Sequence, residues 1–240
     1  MDGPSLLVSF WYLKSFQRNR SRFVFRDWVM DSGAFSAMQA GKSIDLDAYN
    51  AACKELLALD PQLKEVFGLD VIKGDWRQSR RNYEKSWSAG IPVIPCWHRG
   101  EPWDVLVGYA KDYPKIAIGG LVGTGTTAAQ KRHAIGQAFA RVWPKPIHGF
   151  GLMADDLILD FPFHSVDATN WALAPRKFGS WREYGTIRVG TKVTIRSQVE
   201  YYLKLEQQAR RRWQREMTAL NFGDAPNLRL VSTGQEFNYQ

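Results

Sequence analysis

The chain has 240 residues, with 32 Lys+Arg against 24 Asp+Glu for a formal charge of +8, and 45% of its residues are hydrophobic. That apolar fraction supports a buried core and excludes wholesale disorder. No apolar run approaches the roughly 20 residues of a transmembrane helix. Met-Asp-Gly-Pro-Ser at the start has no charged region or cleavage site, so no secretory leader and a cytoplasmic location are expected (the host cytoplasm if the chain is virus-encoded). Two cysteines, Cys53 and Cys96, cannot build a disulfide framework or a four-cysteine zinc site. A pI near 9.5 combined with 10 Trp points to a polyanionic partner, since cations neutralise phosphates and aromatic rings stack on bases.

Short apolar runs alternate with segments of helical periodicity. Leu6–Phe10, Trp28–Met30, Val66–Ile72, Ile91–Trp97, Lys115–Ile118, Ile147–Leu152 and His164–Val166 read as buried strands, several flanked by Gly or Pro. Asp45–Leu59, Arg77–Ala89, Trp103–Lys111 and Ala128–Trp143 read as helices; in the first, Leu46, Tyr49, Cys53, Leu56 and Leu57 keep close to one face. This alternation needs crossover connections and therefore predicts a mainly parallel sheet. With a possible eighth strand in Gly185–Val189, the count fits a (β/α)8 TIM-type barrel, compact or partly trimmed. A doubly wound sheet is the rival, weakened because no Gly-x-Gly-x-x-Gly follows the first strand.

The expected organisation is a catalytic barrel core over 1–190, with a C-terminal helix and tail over 191–240 packed on the same domain. Gln198–Leu220 reads as a long basic helix carrying Arg210, Arg211 and Arg212 beside Trp213. The glycine-rich stretch Gly119-Gly120-Leu121-Val122-Gly123-Thr124-Gly125 lacks the Gly-Lys-Ser/Thr ending of a P-loop.

In a parallel α/β fold, reactive groups collect at the C-terminal ends of the strands. Asp31 ends Trp28–Met30, Asp70 interrupts Val66–Ile72, His98 ends Ile91–Trp97, Gly119 and Gly120 end Lys115–Ile118, and Asp167 ends His164–Val166. Any one carboxylate here can be a helix cap; three of them favour a shared rim. In Asp31-Ser32-Gly33-Ala34-Phe35-Ser36 the glycine permits a sharp turn, Ser32 adds a hydroxyl and Phe35 a stacking face, a set suited to a purine.

Asp-Ser-Gly-Ala-Phe-Ser at 31–36, Phe-Gly-Leu-Asp at 67–70, Gly-Gly-Leu at 119–121 and Ser-Val-Asp-x-x-x-Trp at 165–171, in that order, resemble the tRNA-guanine transglycosylase superfamily. The resemblance is closer to its phage-type branch, which inserts 7-deazaguanines into DNA, and it covers residues 28–171. The resemblance implies a (β/α)8 barrel and a DNA-guanine transglycosylase, with DNA and a 7-deazaguanine base as partners and no cofactor. The expected base is 7-cyano-7-deazaguanine. It implies that Asp167 is the nucleophile at C1′ and Asp31 an acid/base and guanine ligand. It further implies that Asp70 accepts the N1–H and 2-amino edge, with Ser32, Phe35, Gly119, Gly120 and Leu121 around the base.

Ala34 and Ser36 depart from the tRNA enzymes, which carry Gly and Gln there, and the zinc-binding extension of those enzymes is missing. That argues against an ordinary tRNA substrate. His98 has two open readings, a replacement for an amide that reads the purine or a plain rim histidine. Cys96-x-His98 alone is too sparse for a metal site, and none is expected. Phosphate contacts are expected from Arg18, Arg20 and Arg22 before the first motif, from Lys73, Arg77, Arg80 and Arg81 after Asp70, and from Arg210–Arg212; the rival reading of each is a solvated face. Other functions left open are an RNA-modifying enzyme, a carboxylate-based N-glycosidic bond hydrolase, and a catalytically inactive nucleic-acid-binding barrel.

Overall fold

The computed structural model describes residues 3–72, 74–121, 126–167, 181–183, 186–188, 195–219, 229–230 and 237–238. It is a mixed α/β fold with parallel sheets, and it divides into two compact units, Met1–Ala117 and Ile118–Gln240. Among the described residues the hydrogen-bonded strands do not close into a barrel. No helix among them is long and apolar enough to cross a membrane.

The first unit is built on a parallel sheet in sequence order: β1 (Leu6–Ser9), β2 (Trp28–Asp31), β3 (Leu63–Phe67) and β4 (Val93–Ile94). Leu6 pairs with Trp28, Met30 with Val66, and Val66 with Val93. Along β2 the pleat alternates: Trp28 and Met30 are fully buried, whereas Val29 and Asp31 are only partly so. The expected strand over Val66–Ile72 lies earlier. Lys64 and Glu65 interrupt its apolar run, yet the backbone pairs from Leu63 and leaves the sheet after Phe67. Asp70 therefore sits in the loop beyond β3 rather than inside a strand. The run Ile91–Trp97 is two strands, β4 and β5 (Cys96–His98), because Pro95 between them has no N–H for a ladder.

Helices α1 (Leu13–Asn19), α2 (Ala34–Gln39), α3 (Leu46–Leu59), α4 (Trp76–Ser88) and α5 (Trp103–Asp112) complete this unit. Asp45 caps α3 by accepting from the Ala48 N–H at 2.7 Å, and α3 buries Tyr49, Asn50 and Cys53. Strand β6 (Ile116–Gly119) spans the division between the units, and its Ala117 N–H donates to the Pro95 carbonyl.

The second unit contains α6 (Ala128–Val142), begun by a Thr127/Gln130 capping box, and the parallel pair β7 (Ile147–Gly149) and β8 (Ser165–Val166). A short helix, α7 (Asp155–Asp160), lies between them in sequence. The Phe150 N–H donates to the Ile118 carbonyl within this unit. The segment read as an eighth parallel strand differs from expectation: Thr186–Arg188 pairs antiparallel with Trp181–Glu183. The basic helix runs over Ile195–Ala219 and packs against α7.

Candidate active site

In the first unit, β2 ends at Asp31 and the chain turns at once into α2. Asp31 Oδ2 accepts the Gly33 N–H at 3.0 Å, and the buried Ser32 Oγ accepts the Ala34 N–H at 3.3 Å. Gly33 adopts φ +79°, and a Cβ there would stand 2.8 Å from the Trp11 backbone nitrogen. Both the turn and the close approach require glycine. Phe35, in the first turn of α2, is 51% exposed, so its ring is accessible.

The loop carrying Asp70 is tied down by α4. Asn82 donates to the Leu69 carbonyl at 3.0 Å, and the Val71 N–H donates to Ser79 Oγ at 2.9 Å. Ser32 Oγ reaches Asp70 Oδ1 at 3.5 Å, the long limit of a hydrogen bond, which joins the first two motifs. On its other oxygen Asp70 meets His98, with Oδ2 3.0 Å from Nε2.

His98 ends β5 and is flanked on three sides. Cys96 Sγ lies 3.8 Å from Nε2, and Glu101 Oε1 lies 3.5 Å from Nδ1. Glu101 is itself fixed, because its Oε2 accepts the His98 N–H at 3.1 Å and its own N–H donates to the His98 carbonyl. Stacking of Trp97 on Trp103, with centroids 4.7 Å apart, and a bond from Trp97 Nε1 to the Pro102 carbonyl pin the loop between them. The charge of Cys96 acts most strongly to raise the His98 pKa, burial opposes it, and hydrogen bonds to Asp70, Cys96 and Glu101 add to the rise. Burial pushes the Cys96 thiol up to about 11, against the opposing pull of His98. Both groups therefore depart upward from their ordinary values, the imidazole because negative neighbours surround it and the thiol because it is buried.

In the second unit, Asp167 directly follows β8. Its Oδ1 accepts the Gly151 N–H at 2.8 Å and lies 3.4 Å from His148 Nε2. His148 is buried in β7, and its Nδ1 is 2.8 Å from Ser165 Oγ. Gly119 is buried at the end of β6, Gly120 turns outward with φ +70°, and Leu121 is buried. The end of the last motif at Trp171, and Gly123 and Gly125, lie outside the described residues.

Several of the basic residues are engaged. Arg20 binds Asp60 and Gln62 and lies over the rings of Phe16 and Phe25. Arg80 pairs with Glu84 and Asp112, Arg77 with Asp75, Arg210 with Glu206 and Arg212 with Asp160. Arg81 donates to Gln78 and Arg22 to Asn19. Arg18 and Arg211 are exposed, and Lys73 lies outside the described residues.

Sequence reasoning missed Glu101 and His148 as site residues, and it counted Cys96 and His98 without Asp70. The Cys96-x-His98-x-x-Glu101 spacing was the available signal for the first cluster. The partner contributed by the loop after β3, Asp70, was not visible in it. No protein-family model matches the chain, and no curated protein is significantly similar to it.

Proposed function

We propose that the protein is a DNA-guanine transglycosylase with a (β/α)8-type architecture, exchanging guanine in DNA for a 7-deazaguanine base, 7-cyano-7-deazaguanine being the expected one. The observation that carries the reading is positional. Asp31 ends β2, Asp70 follows β3, His98 ends β5, Gly119 ends β6 and Asp167 follows β8, each at the C-terminal end of its strand. That is where parallel α/β enzymes carry their chemistry.

In this reading Asp167 attacks C1′ of the target nucleoside. The C1′–N9 bond breaks with its electrons passing to guanine, which takes up a proton, with Asp31 as the acid. The contacts of Gly151 and His148 fall on Oδ1, so Oδ2 is the attacking oxygen. The incoming base then loses its N9 proton to Asp31 and attacks C1′, releasing Asp167. Two inversions retain the β-anomer, and the covalent intermediate divides one difficult substitution into two easier ones. Asp70 accepts from the N1–H and 2-amino edge, with Phe35 as a stacking face. A target in a duplex is flipped out first, at a cost of a few kcal/mol that phosphate contacts and stacking offset.

The test incubates the protein with DNA or tRNA and labelled 7-cyano-7-deazaguanine, then digests to nucleosides for mass analysis. Label in DNA, with guanine released in equal amount, supports the reading. Label in tRNA alone transfers the activity to RNA. Abasic sites formed without added base make the protein a hydrolase, and salt-sensitive binding without chemistry makes it a binding protein; each of these outcomes overturns the proposal.

A further inference from the structure

We infer that Asp70, Cys96 and His98 form a binding site for one zinc-class divalent cation. The inference stands on these side chains and does not rest on the transglycosylase reading. One Asp70 carboxylate oxygen, Cys96 Sγ and one His98 ring nitrogen all lie within 4.8 Å of one another. His98 Nε2 is central, 3.0 Å from Asp70 Oδ2 and 3.8 Å from Cys96 Sγ. A tetrahedral zinc ion with bonds of about 2.0 Å to N and O and about 2.3 Å to S holds its ligand atoms roughly 3.3–3.6 Å apart. The two separations from Nε2 lie on either side of that range, and the carboxylate oxygen and the sulfur are within 4.8 Å of each other, so the three side chains converge on the ion by closing in around it.

The donor types agree with the metal. A thiolate, an imidazole and a carboxylate suit zinc, whereas magnesium and calcium take oxygen ligands. The backbone supports the arrangement: Cys96 and His98 are two apart on β5 and so share one face, and Asp70 comes from the α4-braced loop.

Glu101 supplies an independent observation. Its carboxylate lies on the Nδ1 side of His98, opposite the proposed ion, and is locked by the His98 backbone N–H. A carboxylate behind a ligating histidine fixes ring orientation and raises ligand basicity. A His98–Asp70 ion pair alone explains the 3.0 Å contact. It gives no reason for a buried sulfur donor within 3.8 Å of the same nitrogen.

Cys96 would bind as the thiolate and His98 through an unprotonated Nε2, with Nδ1 toward Glu101. Three protein ligands leave a fourth position for water or a ligand atom. Coordination through Asp70 Oδ2 leaves Oδ1 facing Ser32.

The full-length protein is stripped with chelator and reconstituted separately with Zn²⁺ and Co²⁺. Expected are one zinc ion per chain and a tetrahedral cobalt spectrum with a thiolate-to-cobalt charge-transfer band. Cys96→Ser removes that band, Cys53→Ser keeps it, and Glu101→Gln weakens zinc affinity by about 10–100-fold. Substoichiometric zinc, or wild-type cobalt protein without the thiolate band, overturns the inference, and neither measurement depends on a variant folding. Absence of base exchange both with and without the bound ion would overturn the proposed function and leave this site standing.

Discussion

His148 lies between Asp167 and Ser165: its Nε2 is 3.4 Å from Asp167 Oδ1 while its Nδ1 is 2.8 Å from Ser165 Oγ. The Gly151 N–H fixes the same carboxylate oxygen at 2.8 Å, and the imidazole stands beside it without a hydrogen bond from Nε2 to it. Under the proposed reaction this arrangement leaves one oxygen of Asp167 to approach C1′, which limits the geometries it must search.

Under the proposed reaction, replacing Asp167 and replacing its neighbour His148 should therefore differ in kind. Asp167→Ala is expected to lower base exchange by at least about 10³-fold and to abolish the covalent DNA adduct. His148→Asn is expected to lower exchange by roughly 10–100-fold while the adduct still forms, because only orientation is lost. Adduct trapping on a denaturing gel separates the two. An adduct surviving Asp167→Ala would remove Asp167 from the chemistry.

Gly68 presents a packing constraint close to the first-unit cluster. A Cβ at that position would stand 2.2 Å from Cδ1 of the Tyr83 ring. The Tyr83 hydroxyl in turn contacts both the N–H and the carbonyl of Cys96. Gly68→Ala should push the ring aside, cost about 1–3 kcal/mol by overpacking, and displace Cys96. Chemical denaturation measures the loss. A variant as stable as the parent would show that Tyr83 yields without strain.

The legible parts of the fold were short apolar strands and amphipathic helices with clear ends. Trp28–Asp31 and Ile116–Gly119 stand out because their residues are uniformly apolar up to a polar or glycine terminus. Leu63–Phe67 was misplaced because Lys64 and Glu65 look like surface residues, although Glu65 pairs with Lys115. The carboxylates Asp31, Asp70 and Asp167 were legible because each follows an apolar run. His148 was not, since a histidine inside the run Ile147–Leu152 reads as core. Nor was the approach of Asp70 to Cys96, which depends on how the loop after β3 folds onto the end of β5. Spacing along the chain carries no trace of that contact.

The basic residues should divide by their partners when DNA binding is measured against salt. Among the described residues, Arg18 and Arg211 are exposed and pair with no carboxylate, so each is expected to release counterions on binding. Replacing either by alanine should reduce the slope of log affinity against log salt by about 0.9. Arg20 is already held by Asp60 and Gln62. Its replacement should lower stability and leave the slope unchanged. Fluorescence anisotropy on labelled DNA checks both, and a fall in slope for Arg20→Ala would reassign it to the DNA surface.

Asp60 ties the end of α3 to β2 and should contribute a pH-dependent part of the stability. Its Oδ2 accepts from the Trp28 indole at 3.0 Å and from Arg20, and its Oδ1 accepts the Gln62 N–H at 3.0 Å. Burial acts to raise its pKa, but the hydrogen bonds from Arg20, Gln62 and Trp28, together with the Arg20 charge, outweigh it and hold the carboxyl below its usual range. A folded-state pKa below the unfolded value of about 3.9 means the stabilisation is present above that pH. It is lost as the pH falls through the folded value. Asp60→Asn should cost about 2 kcal/mol at neutral pH, through two weakened charge-assisted bonds. The gap between variant and parent should narrow in acid, because protonation removes the same charge from the parent. Urea titrations at pH 7 and in the acid range test the sign directly: a gap that stays constant into acid would mean that packing around Trp28, and not the ionised carboxylate, holds the end of α3.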